Sequence, residues 1–211
     1  MSTPARKTRP HGDERRRSVL AVATDLFSQR GYNAVSIADV AKESGLSQAG
    51  LLHHFPTKRA LLLAVLQERD RASEGPGPHG ADFLQAFAEA LRHNDANPQL
   101  VQLFALLSAE SISEGHPAHD WFVERYDLLV SDVTTEVASI VDPDKLPEGI
   151  HAETLARWVI ALADGLRTQA LLSPGAFDRA DSIEAFLGIL RPYLRTDDTG
   201  ESGAVGIPHG Y

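Results

Sequence analysis

The 211-residue sequence contains no cysteine, and only 7% of its residues are aromatic. Without cysteine there is no disulfide framework, no zinc–thiolate site and no cysteine nucleophile, which fits a reducing compartment. No apolar run reaches the roughly 18 residues needed to cross a bilayer. The basic start (Arg6, Lys7, Arg9) leads into Pro10, Gly12 and charges, not into the apolar core of a signal peptide. No stretch alternates at period two, so strands are not expected. No phosphate-binding glycine loop and no spaced carboxylate pair stands out, and neither catalysis nor a cofactor is expected. What remains is a soluble, cytoplasmic protein, 43% hydrophobic, with a largely aliphatic core.

The net charge of −9 averages two unlike parts. Residues 1–60 hold ten Lys and Arg against five Asp and Glu, a balance of +5, and the remainder stands at −14. A cationic head on an anionic body is the electrostatic footprint of a local phosphate-binding surface.

Helical periodicity runs through almost the whole chain. A basic tail, 1–12, is expected to be disordered. A first helix is expected over 13–30, where Val19, Leu20, Ala23, Leu26 and Phe27 form one apolar stripe and Gly31 supplies the stop. Ser36 caps a short helix over 37–44, Gly45 breaks it, Ser47 caps the next, and Pro56 closes that one. Thr57 caps a fourth helix, and Glu74–Gly80 is the clearest break in the chain. Further helices are expected over 82–94, 98–111, 117–140, 151–172 and 182–194, with a disordered Gly-rich tail at 196–211. The expected class is all-α with about nine helices. A helix-turn-helix domain over 13–58 would precede a larger helical domain over 59–195.

The segment Ser36–Phe55 meets the demands of a helix-turn-helix. Two short helices that cross steeply need a small residue at the contact, here Ala41, and a turn position tolerant of left-handed dihedrals, here Gly45. Ile37, Val40, Leu46, Leu51 and Phe55 face a shared core. Ser47, Gln48, Ala49 and Gly50 open the next helix, the position from which recognition helices meet bases. Gln48 suits a bidentate pair with adenine, and a helix N-terminus favours phosphate.

These residues, from Leu26-Phe27 and Gly31-Tyr32 through Ile37-Ala-Asp-Val-Ala41 to Gly45-Leu-Ser-Gln-Ala-Gly-Leu-Leu-His-His-Phe-Pro-Thr-Lys-Arg-Ala-Leu61, resemble the DNA-binding domain of the TetR (tetracycline repressor-like) family of bacterial transcriptional regulators. The resemblance covers about a quarter of the chain. It implies that Ser36 holds a phosphate, that Gln48, Ala49 and Gly50 reach base edges, and that His54 and Lys58 contact the backbone. Two positions depart from the family pattern, Gly50 where threonine is usual and Leu52 where tyrosine is usual. Leu52 can meet a thymine methyl but cannot hydrogen-bond a phosphate, which shifts weight to His53 and to Arg15, Arg16 and Arg17.

Adjacent residues on a helix point about 100° apart, so His53 and His54 are poorly placed to share a metal. His116 and His119 have metal-pair spacing, but no cysteine or carboxylate cluster completes a site, and capping roles are expected instead. Gly45–Ala49 mimics a nucleophile elbow without the strand that such an elbow needs. For the second domain, Phe83, Phe87, Phe104, Trp121, Phe122, Tyr126, Trp158 and Leu162 supply pocket walls, with polar groups from Arg125, Asp164, Arg167, Thr168 and Gln169. The anionic body favours a neutral or cationic ligand, which an inward arginine would reverse.

The last two helices are apolar on more than one side. Resemblance to the family implies a two-fold four-helix interface between subunits, expected at Leu155, Val159, Ile183, Phe186, Leu187, Leu190 and Leu194. The expected partners are thus an operator in double-stranded, pseudo-palindromic DNA, a small-molecule effector and a second copy of the chain. Two alternatives are an effector-independent architectural DNA-binding protein and an enzyme using His116, His119 or His151.

Overall fold

The computed structural model describes residues 10–73 and 83–195. Over these residues nine α-helices follow one another: α1 Pro10–Arg30, α2 Ile37–Glu43, α3 Gln48–His54, α4 Lys58–Ser73, α5 Phe83–Asp95, α6 Pro98–Glu110, α7 His119–Ile140, α8 Ala152–Leu172 and α9 Arg179–Ile189. A 3-10 turn at Arg191–Tyr193 follows. There is no sheet among the described residues, and one antiparallel bridge pairs Val141 with Leu194. Residues 10–12, expected in the tail, belong to α1; the rest of that tail, the Glu74–Gly80 break and the tail at 196–211 lie outside the described residues.

Local chemistry sets the early boundaries. Gly31, at φ 75°, ends α1 in the left-handed region, and its N–H donates to Phe27 O at 3.0 Å. Ser36 and Asp39 form a reciprocal capping box at α2, Ser47 caps α3, and Thr57 Oγ1 accepts from Ala60 N at the start of α4. Pro98 occupies the first turn of α6, where its missing N–H is no loss.

Two later helices also differ from the sequence expectation by two residues or more. α7 begins at His119, because Pro117 lies in a turn closed by His119 N to His116 O. α9 begins at Arg179, where Asp178 provides the cap, and it stops at Ile189. Pro192 cannot donate to a continuing helix. The chain instead turns back, with Asp142 N donating to Tyr193 O and Arg195 N to Ile140 O, both at 2.8 Å.

The helices enclose two hydrophobic cores. The first joins α1–α4 to Leu103, Phe104 and Leu107 of α6 and to Ala118 and Phe122 near the start of α7. The second joins α5, the later part of α7, α8 and α9. Tyr126 packs against both. The helix-turn-helix therefore shares its core with α6, along which α1 lies.

Candidate nucleic-acid interface and ligand cavity

Gly45, at φ 66°, makes the tight turn between α2 and α3, and Leu46 N donates to Ala41 O at 2.9 Å. Leu51 and Phe55 are buried and fix the inward side of α3. The 100° step per residue then turns Gln48, Ala49, Leu52 and His53 outward beside exposed Ser47, with Leu52 39% exposed. Gly50 and His54 are half-buried. Ser47 Oγ accepts from Gly50 N at 3.1 Å, and Asp39 N donates to Ser36 Oγ at 3.1 Å. Hydrogen bonds from Ser36 hold the Asp39 carboxyl below its ordinary pKa.

Arg15, Arg16 and Arg17 are exposed on α1. Arg16 also latches α1 to the end of α3, donating to His54 O at 3.3 Å with its guanidinium 4.4 Å from the centroid of the Phe55 ring. Lys58 is half-buried with Nζ 4.0 Å from the Tyr32 ring centroid, and burial lowers its pKa against the pull of Glu110. The expected backbone contact at Lys58 thus already has an intramolecular partner.

The histidines outside α3 brace a corner. His116 Nδ1 accepts from Ala118 N at 3.3 Å and lies 2.9 Å from Ser111 Oγ, while His119 Nδ1 lies 2.9 Å from Ser111 O. Burial lowers the pKa of His116, the larger effect against the opposing pull of Glu110. His151 stands exposed before α8 with no side-chain cap bond. Among the described residues no group of three His, Cys, Asp or Glu is arranged to hold a metal ion.

Glu110, at the end of α6, carries no sequence signal and joins the two halves. Its Oε2 accepts from Tyr32 N at 2.8 Å and lies 3.8 Å from His116 Nε2. It also crowds Gly31, where a Cβ would collide with Glu110 Oε1.

A groove of about 800 Å³ opens between α6, the end of α8 and the loop to α9. Val101, Ala105, Leu106 and Ala109 line it from α6, Thr168, Leu171 and Leu172 from α8, and Pro174 and Phe177 from the loop. None of the eight expected pocket walls lines it, and of the expected polar groups only Thr168 does. Phe83 and Phe87 are buried in the second core, and Leu162 packs against that core. Phe104, Phe122 and Trp121 stack edge to face, at 5.2 Å and 4.8 Å between centroids. Tyr126 donates to Asp164 Oδ2 at 2.7 Å, and burial beside that carboxylate pushes its phenol up to about 12. Trp158 lies on the outer side of α8, 47% exposed. The groove lies where α8 ends at Ser173-Pro174-Gly175 beside α6.

Beside the groove is a void of about 20 Å³, lined by Arg69, Leu91, Asn94, Val101, Phe104, Ala163, Asp164, Arg167 and Arg179. Of the expected pocket residues Phe104, Asp164 and Arg167 line it. Arg125 lies nearby, its Nη1 2.7 Å from Asp70 Oδ1.

Most of the residues expected at the dimer interface face the protomer's own core. Leu155, Val159, Ile183, Leu187 and Leu190 are buried in the protomer's own second core, and Phe186 and Leu194 pack against it. The five buried residues hold α8 and α9 to α5 and α7, while Phe186 and Leu194 remain half-buried. The outward face carries Trp158, Leu172 (79% exposed) and Ile189 (64% exposed), with exposed Ala161 and Ala185 and with Gly165 and Gly188 between them.

Comparison with known proteins agrees with this geometry. The family model of bacterial regulatory proteins of the tetR family matches residues 19–65, and that of the BetI-type transcriptional repressor C-terminal domain matches residues 81–194. The transcriptional activator FasR of Mycolicibacterium smegmatis is 34% identical over 185 residues, covering 82% of this chain and 79% of that protein. A TetR regulator from Chloroflexus aurantiacus superposes with a TM-score of 0.71 at 23% identity, covering 89% of this chain and 99% of the other. A regulator from Saccharomonospora viridis solved with choline gives a TM-score of 0.65 at 21% identity, over 87% of this chain and 100% of the other. A recognition helix held by two capped turns, on a helical body matched almost to its end, has one reading: the chain belongs to the TetR family of bacterial DNA-binding transcriptional regulators.

Proposed function

We propose that two copies of this chain bind a pseudo-palindromic operator as a repressor, and that a small molecule in the α6–α8 groove releases them. The observation that carries this is the double role of α6. Val101, Ala105 and Ala109 line the groove, while Glu110 accepts from the amide that leads into the helix-turn-helix. A ligand that moves α6 therefore moves α1 and the head built on it. A tenfold loss of operator affinity takes about 1.4 kcal/mol of differential ligand binding between the two head spacings.

In this scheme Gln48 reads a base, Ala49 and Leu52 meet thymine methyls, and Ser36, Ser47, His53 and Arg15–Arg17 hold phosphates. Gly50 lets the start of α3 approach the groove floor, and His54 and Lys58 flank it. Dimerisation through the outward face of α8 and α9 would set two recognition helices about 34 Å apart or somewhat more. Repression is favoured by the description of the C-terminal family model, and choline in a structural neighbour supports a small-molecule ligand.

Selection of bound DNA from a random pool tests the scheme. Two inverted half-sites are expected, released by extract of the source cells. A single half-site would overturn the dimer, and an operator that no extract releases would overturn the effector.

A further inference from the structure

We propose that α3 reads C5-methyl groups of the operator as such, so that 5-methylcytosine serves in place of thymine under Ala49 and Leu52, and cytosine methylation there strengthens binding. This rests on the DNA-reading function above and names the chemistry that its apolar contacts recognise.

Among the described residues of α1–α4, Leu52 is the one large apolar side chain that is exposed; the others are buried or half-buried. The inner side of α3 is complete without it, since Leu51 and Phe55 already fill the core there. At 100° per residue, Leu52 falls between Gln48 and Ala49 on the outward side, and His53 lies beyond Ala49. Ala49 and Leu52 are three residues apart, which sets their Cβ atoms about 5–6 Å from each other. They form a short apolar ridge with Gln48 along one flank and His53 along the other.

Such a ridge has one kind of partner in the major groove. Its side chains carry no donor or acceptor, so a phosphate or a polar base atom pressed against them loses water and gains no hydrogen bond. The apolar group on the base edges is the C5-methyl of thymine. Base pairs stack about 3.4 Å apart with a twist between them, so methyls on neighbouring pairs are offset on the same scale as the two side chains. The platform is fixed as well: Gly45 makes the turn before α3, and Arg16 holds its far end through His54 O at 3.3 Å. Alanine has no rotamer to lose on contact.

What the ridge senses is a methyl at a place, not a base. 5-Methylcytosine carries that group on the same ring carbon. Its neighbouring amino group, where thymine has a carbonyl, is told apart only by a hydrogen-bonding side chain. Uracil is the converse, with the polar edge of thymine and no methyl. At the adenine paired by Gln48 the order reverses, because hydrogen bonds decide there. Uracil opposite that adenine is tolerated, and a guanine paired to 5-methylcytosine is not.

The test uses the full-length protein and the duplex recovered from the random pool. The duplex is resynthesised with uracil, cytosine or 5-methylcytosine for thymine at one position of each half-site in turn, with guanine opposite the cytosines. Two positions per half-site are expected to respond. At these, uracil and cytosine weaken binding about fourfold for each methyl removed, and about fifteenfold when both half-sites change. 5-Methylcytosine is expected to stay within about threefold of thymine. Leu52→Ala should erase the preference for thymine over uracil at one of the two positions, while Leu52→Met and Gln48→Ala should keep it. Uracil equal to thymine throughout, 5-methylcytosine no better than cytosine, or a preference that Leu52→Ala leaves intact at every position would overturn methyl reading. A pool that yields no shared sequence would instead remove base reading by α3, and the methyl contact with it.

Discussion

The main-chain N–H of Tyr32 donates to Glu110 Oε2 at 2.8 Å across 78 positions of sequence, joining the turn before the helix-turn-helix to the end of α6. The same carboxylate crowds Gly31, which takes a positive φ of 75°. Backbone conformation, close approach and a charge-assisted hydrogen bond meet at one point.

Two substitutions there should be coupled. Glu110→Ala leaves a part-buried amide without its acceptor and should cost about 1–3 kcal/mol. Gly31→Ala should cost about 1–2 kcal/mol for the left-handed backbone, and more because the new methyl meets Glu110. In the Glu110→Ala background that collision is gone, so the double variant should be less destabilised than the sum by at least about 0.5 kcal/mol. Urea denaturation of the four proteins measures this; strict additivity would rule out the steric contact.

Stability should fall as the pH drops below about 6.5, the ordinary imidazole value, with His116 contributing. The folded-state pKa of His116 is lowered, first by burial and also by Lys58, while Glu110 opposes. Between the folded and the ordinary value the unfolded chain binds more protons, so stability rises with pH across that window. His116→Gln should flatten the profile between pH 5 and 7 in denaturation midpoints. A variant profile parallel to the parent would remove His116 from the account.

The fold and the helix-turn-helix were largely legible in the sequence because their signals are local. Ser36, Gly45 and Ser47 lie within a few residues of the groups they cap or turn, and one apolar stripe marks the inner face of α1. The cavity was not legible because its parts meet only across the fold. Arg125 finds Asp70 over 55 positions and Arg179 finds Asp95 over 84, while the aromatics that suggested a pocket, Trp158 apart, pack into or against the core. The outward side of α8 was not legible for a related reason. α8 is apolar on several sides, and periodicity alone does not say which side the chain itself covers.

At the DNA surface, Gln48→Ala should relax preference at one base position, worth about 1–3 kcal/mol of discrimination. Arg17→Ala should weaken cognate and random DNA alike and lower the salt slope by about one phosphate. Lys58→Ala is a less clean probe, because Lys58 stacks on Tyr32 and its loss also alters the junction. Anisotropy titrations at several salt concentrations separate these effects. Equal loss on all sequences for Gln48→Ala would sink its assignment to base readout.

Gly165 offers the sharpest test of the assembly. A Cβ there meets nothing within 4 Å inside the protomer, so the helix does not need glycine for its own packing. Gly165 lies on the outward side of α8 with Trp158, Ala161 and Leu172, where a small residue would let a second copy approach closely under the proposed dimer. Gly165→Gln should therefore leave helix content unchanged, and helix propensity should favour it by a few tenths of a kcal/mol or more. In light scattering it should nevertheless shift the protein toward monomer. Leu155→Ala should behave in the opposite way, because Leu155 is only 3% exposed within the protomer. It should cost about 2–5 kcal/mol of stability from the cavity it leaves, with the folded fraction still dimeric. A Gly165→Gln protein that stays fully dimeric would move the interface to another face and return the glycine to a role within α8 alone.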